Sequence, residues 1–210
     1  MTRTLYGAHL SRAPRCAWLL DELGLEFTVD EIQHRNGDTR TPQFLALNPN
    51  GKTPVLVDGH TVIWESMAVN LYLAMAYGRL PLWPEKVEMR GHILQWTIWA
   101  VTEVEPLLDA LIMAIRKVGP LQEQQRAPAE INQRLARPLS VLDGELAKRQ
   151  WLVGNEFSVA DLNIASILSF SVFMKASDFS RWPNVRTWLE ACCSRPAYAR
   201  MGWPLGGGDA

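Results

Sequence analysis

Every strand signal in this chain falls within residues 1–80, and everything after them reads as helix. A chain patterned this way has few architectures open to it. It can build a small sheet with its own helices and follow it with an all-helical unit. "RTLYG" reads as a short strand, and "SRAPRCAWLLDELG" as a helix with a polar start, Pro14 in its first turn and Gly24 as its stop. "LEFTVDEI" alternates, with Leu25, Phe27 and Val29 on one face as in a half-buried strand. A polar loop over Thr39 to Thr41 leads into a short helix, "PQFLALN". "PVLVDG" and "HTVIW" then pair as a hairpin across Asp58-Gly59, and "ESMAVNLYLAMAYG" closes the unit as a helix ending at Gly78. The first βαβ must be parallel and right-handed, and the hairpin extends the sheet antiparallel.

"RLPLWPE" is a proline-bearing bridge. Residues 85 to 117 predict one long helix kinked at Pro106, and "APAEINQRLARPLSVLDGELAKR" a second, weakened by Pro138 and Gly144. "SVADLNIASILSFSVFMKA" is largely apolar and is expected at the centre, while "PNVRTWLEACCSR" ends before Pro196. The terminal "PLGGGDA" is expected to fray, and no internal repeat is visible. The expected domains are therefore 1–80, α/β, and 85–210, all-α, with the crevice between them as the default ligand site.

Bulk properties exclude more than they assign. A net charge of −1 over 210 residues gives no global field to draw in nucleic acid or anionic lipid. Three cysteines, two of them adjacent, make neither a disulfide framework nor a zinc spacing, so a reducing, cytoplasmic compartment is expected. The opening "MTRTLYGAHL" has no apolar run of signal-peptide length, and no stretch approaches a membrane span. His9 and His92 have no metal-ligating partner at i+4, so no metal is expected. Nine tryptophans must bury large surfaces, and some are candidates to line a cavity.

The chemistry gathers at strand and helix ends of the first unit. Ser11 stands where the first strand turns into the first helix, Lys52-Thr53-Pro54 where the third strand begins, and Glu65-Ser66 where the third helix opens. Backbone N–H groups are unsatisfied at such points, and the helix dipole favours anions. A peptide-like ligand with an amine, carboxylates and a thiol would suit them. The Thr53 backbone, beside a proline that removes a ladder donor, can pair with the ligand's main chain, more so if the Thr53–Pro54 bond is cis. Glu65 can take an ammonium, Ser66 with its N–H a carboxylate, and Lys52 with Arg40 a second carboxylate.

Five stretches, "LYGAHLSRAPRCAWLLDELGLEF", "PQFLALNPNGKTPVL", "ESMAVNLYLA", "FSVADLNIA" and "WPNVRTWLEACCSRPAYAR", in this order, resemble the cytosolic glutathione transferase family over essentially the whole chain. The N-P-x-G-K-x-P-x-L and Glu-Ser pieces are the most specific. The resemblance implies a thioredoxin-like N-terminal domain that binds glutathione, a helical C-terminal domain that supplies the pocket for a hydrophobic electrophile, and a homodimer. In Ser-type members such as the theta and zeta classes, a serine after the first strand hydrogen-bonds the glutathione sulfur. Ser11 holds that place, and its spacing to Arg15 resembles theta sequences. Tyr6 and Arg12 are the rival thiolate stabilisers. Glutathione-dependent isomerisation, ether cleavage, dehalogenation and a non-catalytic binding module are the alternatives on the same fold.

The remaining candidates divide by packing. Cys16 lies a turn inside the first helix and reads as buried; members with a catalytic cysteine place it at the helix start, where this chain has Ser11. Ser158 and Asp161 fit a structural capping box. Glu103 and Glu105 face different sides of a helix and make a poor acid–base pair. Trp96 and Trp99, at i and i+3, are either core or, with His9 and Leu10, a wall of the electrophile pocket.

Overall fold

The computed structural model describes residues 2–32, 36–203 and 205. The chain divides into two compact units, Met1–Trp83 with Pro196–Gly202 and Pro84–Arg195 with Trp203–Ala210. The tail expected to fray lies outside the described residues, apart from Leu205.

The first unit is a four-stranded mixed sheet in the order β2-β1-β3-β4. Its elements are β1 (Arg3–Tyr6), α1 (Ala13–Glu22), β2 (Thr28–Asp30), α2 (Pro42–Leu47), β3 (Val55–Asp58), β4 (Thr61–Trp64) and α3 (Ser66–Tyr77). β1 runs parallel to β2 and antiparallel to β3, so Leu5 pairs with both Val29 and Leu56. Leu5, Val55 and Leu56 are buried together with Trp18, Leu19 and Leu20 of α1 and Val69, Leu73 and Ala74 of α3. This is the α/β architecture that the strand and helix signals predicted.

Three local expectations are corrected. β2 is an edge strand shorter than its alternating pattern, and all three of its residues are exposed, Val29 by 52%. The hairpin turn is Gly59-His60 rather than Asp58-Gly59, since Asp58 pairs with Thr61 and Gly59 takes the left-handed φ of +60°. Asp58 stays in the strand because its buried carboxylate accepts the Tyr72 and Tyr77 hydroxyls at 3.0 and 2.5 Å and faces Arg3 Nε at 3.3 Å. Thr39 belongs to a 3-10 turn, Asp38–Arg40, rather than a loop. Thr41 Oγ1 then caps α2 by accepting the Phe44 N–H at 3.3 Å.

A short return segment also belongs to this unit. α10 (Pro196–Ala199) follows the fourth predicted helix and packs on α1, with the Tyr198 ring edge-on to Trp18 at 5.0 Å. Arg200 Nε meets Asp21 Oδ2 at 3.0 Å.

The helical unit contains α4 (Val87–Trp99), α5 (Glu105–Arg116), α6 (Leu121–Gln124), α7 (Pro128–Leu146), α8 (Val159–Phe173) and α9 (Pro183–Cys193). The long helix expected over 85 to 117 is divided by a π-helical turn, Ala100–Val104, which ends just short of Glu105-Pro106. Proline offers no N–H to the preceding turn, and its ring crowds the carbonyl four residues back, so the backbone widens there. Thr102 Oγ1 donates to the Ile98 and Trp99 carbonyls at 3.1 and 3.3 Å in the same stretch. α7 passes through Pro138 unbroken. Asp143 on α7 caps the start of α9, accepting the Asn184 and Val185 N–H groups at 2.9 and 3.0 Å.

α8 is buried almost all round, as its apolar sequence predicted. The Ser158–Asp161 capping box opens it. Asp161 also accepts the Leu152 N–H at 2.9 Å and the Trp188 indole N–H at 3.0 Å. Burial pushes the Asp161 carboxyl up from its ordinary range, while these donors pull it down. None of the helices among the described residues is long and apolar enough to cross a membrane.

Candidate functional site: the turn after β1 and the start of α3

Chain reversal after β1 brings the first two candidate groups together. Gly7 has a φ of +154°, and a Cβ built there would lie 2.5 Å from Ala13 Cβ, 3.2 Å from Ser11 Oγ and 3.4 Å from Thr53 Cβ. Only a residue without a side chain lets α1, Ser11 and Thr53 converge so closely. Ser11 Oγ donates to the Ala8 carbonyl at 2.6 Å and accepts the Ala13 N–H at 3.1 Å. It thus serves a backbone donor of the first turn, although the residue in the cap position is Arg12. The Ala8 carbonyl also accepts the Ser11 N–H at 3.1 Å.

Thr53 is held by the loop before β3. The buried Asn48 organises this loop: its Nδ2 donates to the Lys52 carbonyl at 2.6 Å, and its Oδ1 accepts the Asn50 N–H at 3.0 Å. Gly51, with φ +61°, leaves room for Arg40, whose Nη1 would lie 2.7 Å from a Cβ at that position. The Arg40 guanidinium and the exposed Lys52 therefore flank one glycine. The Thr53–Pro54 bond is cis. The β3 ladder begins at Val55, so the Thr53 N–H and C=O lie outside the sheet register.

At the start of α3, Glu65 adopts φ 70° and ψ 113°, a conformation rare for any residue with a Cβ. Its carbonyl accepts the Val69 N–H at 2.9 Å, its side chain is exposed, and Ser66 becomes the first residue of the helix. Behind Ser66 lies Arg15, only 2% exposed, whose Nη1 donates to Ser66 Oγ at 3.4 Å. Asn70 Nδ2 donates to the Arg15 carbonyl at 3.4 Å, and Cys16 Sγ to the Ser66 carbonyl at 3.6 Å. Burial pushes the Cys16 thiol up to about 12, the opposite of what a nucleophile requires.

Tyr6 is half-buried in β1, with its ring edge-on to Phe44 at 6.4 Å. Arg12 and His9 are exposed, and Leu10 is 63% exposed. His9 borders a cavity of about 240 Å³ in the sheet unit, together with Leu5, Gly7, Ala8 and Met201. In the helical unit, Trp96 is 7% exposed and Trp99 half-buried, with their rings edge-on at 5.1 Å. Among the described residues, no group of three His, Cys, Asp or Glu is placed to hold a metal ion.

Sequence reasoning missed two contributors, Asn48 and Arg15. Asn48 stood inside the recognised loop motif and carried a signal in its asparagine turn chemistry. Arg15 gave only a spacing to Ser11, because its contact with Ser66 spans 51 positions.

Comparison with known proteins agrees with this fold. The family model "Glutathione S-transferase, N-terminal domain" matches residues 1–75, and "Glutathione S-transferase, C-terminal domain" matches residues 92–196. The chain is 30% identical over 201 residues to glutathione S-transferase GstB of Escherichia coli, covering 94% of this chain and 96% of that protein. It is 32% identical over 205 residues to glutathione S-transferase 3 of Zea mays, covering 93% and 91%. Among solved structures, a glutathione transferase from Pseudomonas putida, with one glutathione disulfide bound per subunit, aligns with a TM-score of 0.85. That pair shares 26% identity and covers 95% of this chain and 90% of the other. With both of its domain models matched and relatives alike from end to end, this chain belongs to the glutathione S-transferase family.

Proposed function

We propose that this chain binds glutathione on its sheet unit and holds the sulfur as a thiolate for attack on a small hydrophobic electrophile, with Ser11 as the sulfur's hydrogen-bond donor. The observation that carries this reading is the convergence of Ser11 Oγ and Thr53 on Gly7. A side-chain donor and a main-chain edge outside the sheet register then lie side by side, as a cysteinyl peptide needs. The Ser11 hydroxyl proton rests on the Ala8 carbonyl, which keeps the Ser11 N–H as donor when the hydroxyl turns away. Rotation towards a ligand sulfur therefore leaves no carbonyl orphaned.

Magnitudes decide whether one hydroxyl suffices. A thiol of pKa ~8.5 is only a few per cent thiolate at neutral pH, and each pKa unit is worth ~1.4 kcal/mol. A hydrogen bond to a charged group supplies ~1.5–3 kcal/mol, which makes thiolate a major species. The N-terminal end of α1 adds to it in the same sense. Ser11 stabilises the sulfur anion and takes no part as a nucleophile; positioning carries the remainder of the rate.

Around the sulfur, the Thr53 backbone pairs with the ligand main chain, Glu65 takes its ammonium and Ser66 the neighbouring carboxylate. Lys52 and Arg40 take the glycine carboxylate. For the acceptor, Leu10 and His9 offer exposed surface in the sheet unit; in the helical unit Trp99 is half-buried, with the buried Trp96 packed edge-on against it. The free, buried thiols of Cys16 and Cys192 suit a reducing cytoplasm.

The test is conjugation of glutathione to a chloronitrobenzene acceptor by wild type, Ser11→Ala and Tyr6→Phe. Ser11→Ala is expected to lose roughly tenfold or more in kcat/KM at neutral pH, the equivalent of one lost hydrogen bond to a charge, while Tyr6→Phe stays near wild type. Full activity in Ser11→Ala overturns the assignment.

Family membership also supports pairing of two copies. α4 exposes an apolar stripe, Val87, Leu94 and Ile98, at 71%, 41% and 57%, which a partner copy would cover. Sedimentation is expected to give twice the chain mass of 23.7 kDa, and Leu94→Glu with Ile98→Glu to halve it. A wild type that sediments as a single chain removes this part of the reading.

A further inference from the structure

We infer that Arg15 is a positioning residue for the carboxylate end of the ligand, acting through Ser66. This inference rests on the proposed glutathione site and deepens it. A guanidinium has hydrogen-bond donors and no acceptor. In the 3.4 Å contact between Arg15 Nη1 and Ser66 Oγ, the serine oxygen must therefore be the acceptor. The Ser66 proton is therefore not spent on Arg15; it finds no acceptor among the described residues and remains to be donated to a carboxylate. Ser11 has the opposite polarity, its proton resting on Ala8. The two serines of the site are thus set differently by what stands behind them.

The setting is fixed from several sides. Arg15 is 2% exposed, and its carbonyl is tied to Asn70 of α3. The next residue, Cys16, donates to the Ser66 carbonyl. The first turn of α3 is thereby fastened to α1 by two successive residues, one on the Ser66 side chain and one on its backbone. The buried cation also stands behind the point where a ligand anion would arrive, in a medium that screens it less than water does.

The experiment compares binding of glutathione with binding of the analogue carrying 4-aminobutanoyl in place of the γ-glutamyl group. That analogue keeps the amine and loses the carboxylate assigned to Ser66. Wild type is expected to prefer glutathione by roughly tenfold or more, as loss of a charge-assisted hydrogen bond implies. Arg15→Met is expected to lose most of that preference by weakening glutathione alone. Arg15→Lys, which keeps a cation and a donor, is expected to retain most of it. A purely structural role would lower the affinity of both ligands together and leave their ratio in place. A wild type that does not distinguish the two ligands overturns the carboxylate assignment of Ser66, and this inference with it. A wild type that does distinguish them, with the ratio unchanged in Arg15→Met, overturns this inference alone. If Arg15→Met does not fold, Arg15→Gln, which removes the cation and keeps much of the side chain's length, decides: a ligand ratio equal to that of wild type there overturns the inference.

Discussion

Single residues in this chain are defined by who donates to them. Ser11 gives its proton to Ala8 and takes one from Ala13, whereas Ser66 takes one from Arg15. Asp161 takes the donor count furthest, with the N–H groups of Leu152 and Ser158, the Ser158 hydroxyl and the Trp188 indole all within 3.0 Å of its carboxylate. Those donors come from the start of α8, the segment before it and α9, so one carboxylate joins three pieces of the helical unit. Asp161→Ala would leave buried N–H groups with nothing to accept them, at about 1–3 kcal/mol for each unsatisfied group. The expected result is a loss of at least about 3 kcal/mol in denaturant unfolding, with a lowered midpoint and an unchanged slope. Asp161→Asn, which keeps one carbonyl oxygen, is expected to lose less. A midpoint for Asp161→Ala equal to wild type would mean that water replaces the carboxylate, contrary to its complete burial.

Elements show where a sequence can and cannot be read. β1, α1, β3, β4 and α3 were legible because period-2 and period-3.6 patterns, Gly24 and Gly78 marked their faces and ends. α8 was legible from its unbroken apolar composition, and its cap from Ser158 and Asp161. β2 was over-read, since alternation in Leu25, Phe27 and Val29 marks a face without saying whether anything packs on it, and all three residues of β2 are exposed. Asp58 was misread as a turn residue because Asp-Gly is a strong hairpin signal. The acceptors of the Tyr72 and Tyr77 hydroxyls lie 14 and 19 positions from their donors and leave no local mark. Pro106 correctly announced an interruption, yet a kink and a π turn look the same in sequence. Of the candidate site, Ser11, Thr53, Glu65 and Ser66 were visible as ends of elements. What held them, Arg15 and Asn48, was hidden by distance or by ordinary turn chemistry.

Across the whole molecule, acidic side chains kept protonated by burial set the alkaline limit of the fold. In the sheet unit, burial raises the Cys16 thiol from 9.0 to about 12, and burial with the Asp58 hydrogen bond raises Tyr72 from 10.0 to about 12. In the helical unit, burial pushes Cys192 up as well. Each of these groups is neutral when protonated, and each ionises earlier in the unfolded chain than in the folded one. Above pH ~9 the unfolded chain therefore holds fewer protons than the native one, and linkage makes stability fall as pH rises. The contribution is fully present below the unfolded values of 9.0 and 10.0 and is lost as pH climbs towards about 12. Thermal unfolding between pH 8 and 11 is expected to show a Tm that declines steadily above pH 9. Cys16→Ala should start lower at pH 8, because it leaves a small cavity, yet decline less steeply, because one titrating group is gone. Tyr72→Phe should flatten the decline in the same way. Curves for wild type and both variants that run parallel to pH 11 would show that these side chains ionise in the folded protein as readily as in water, and that their burial is not maintained in solution.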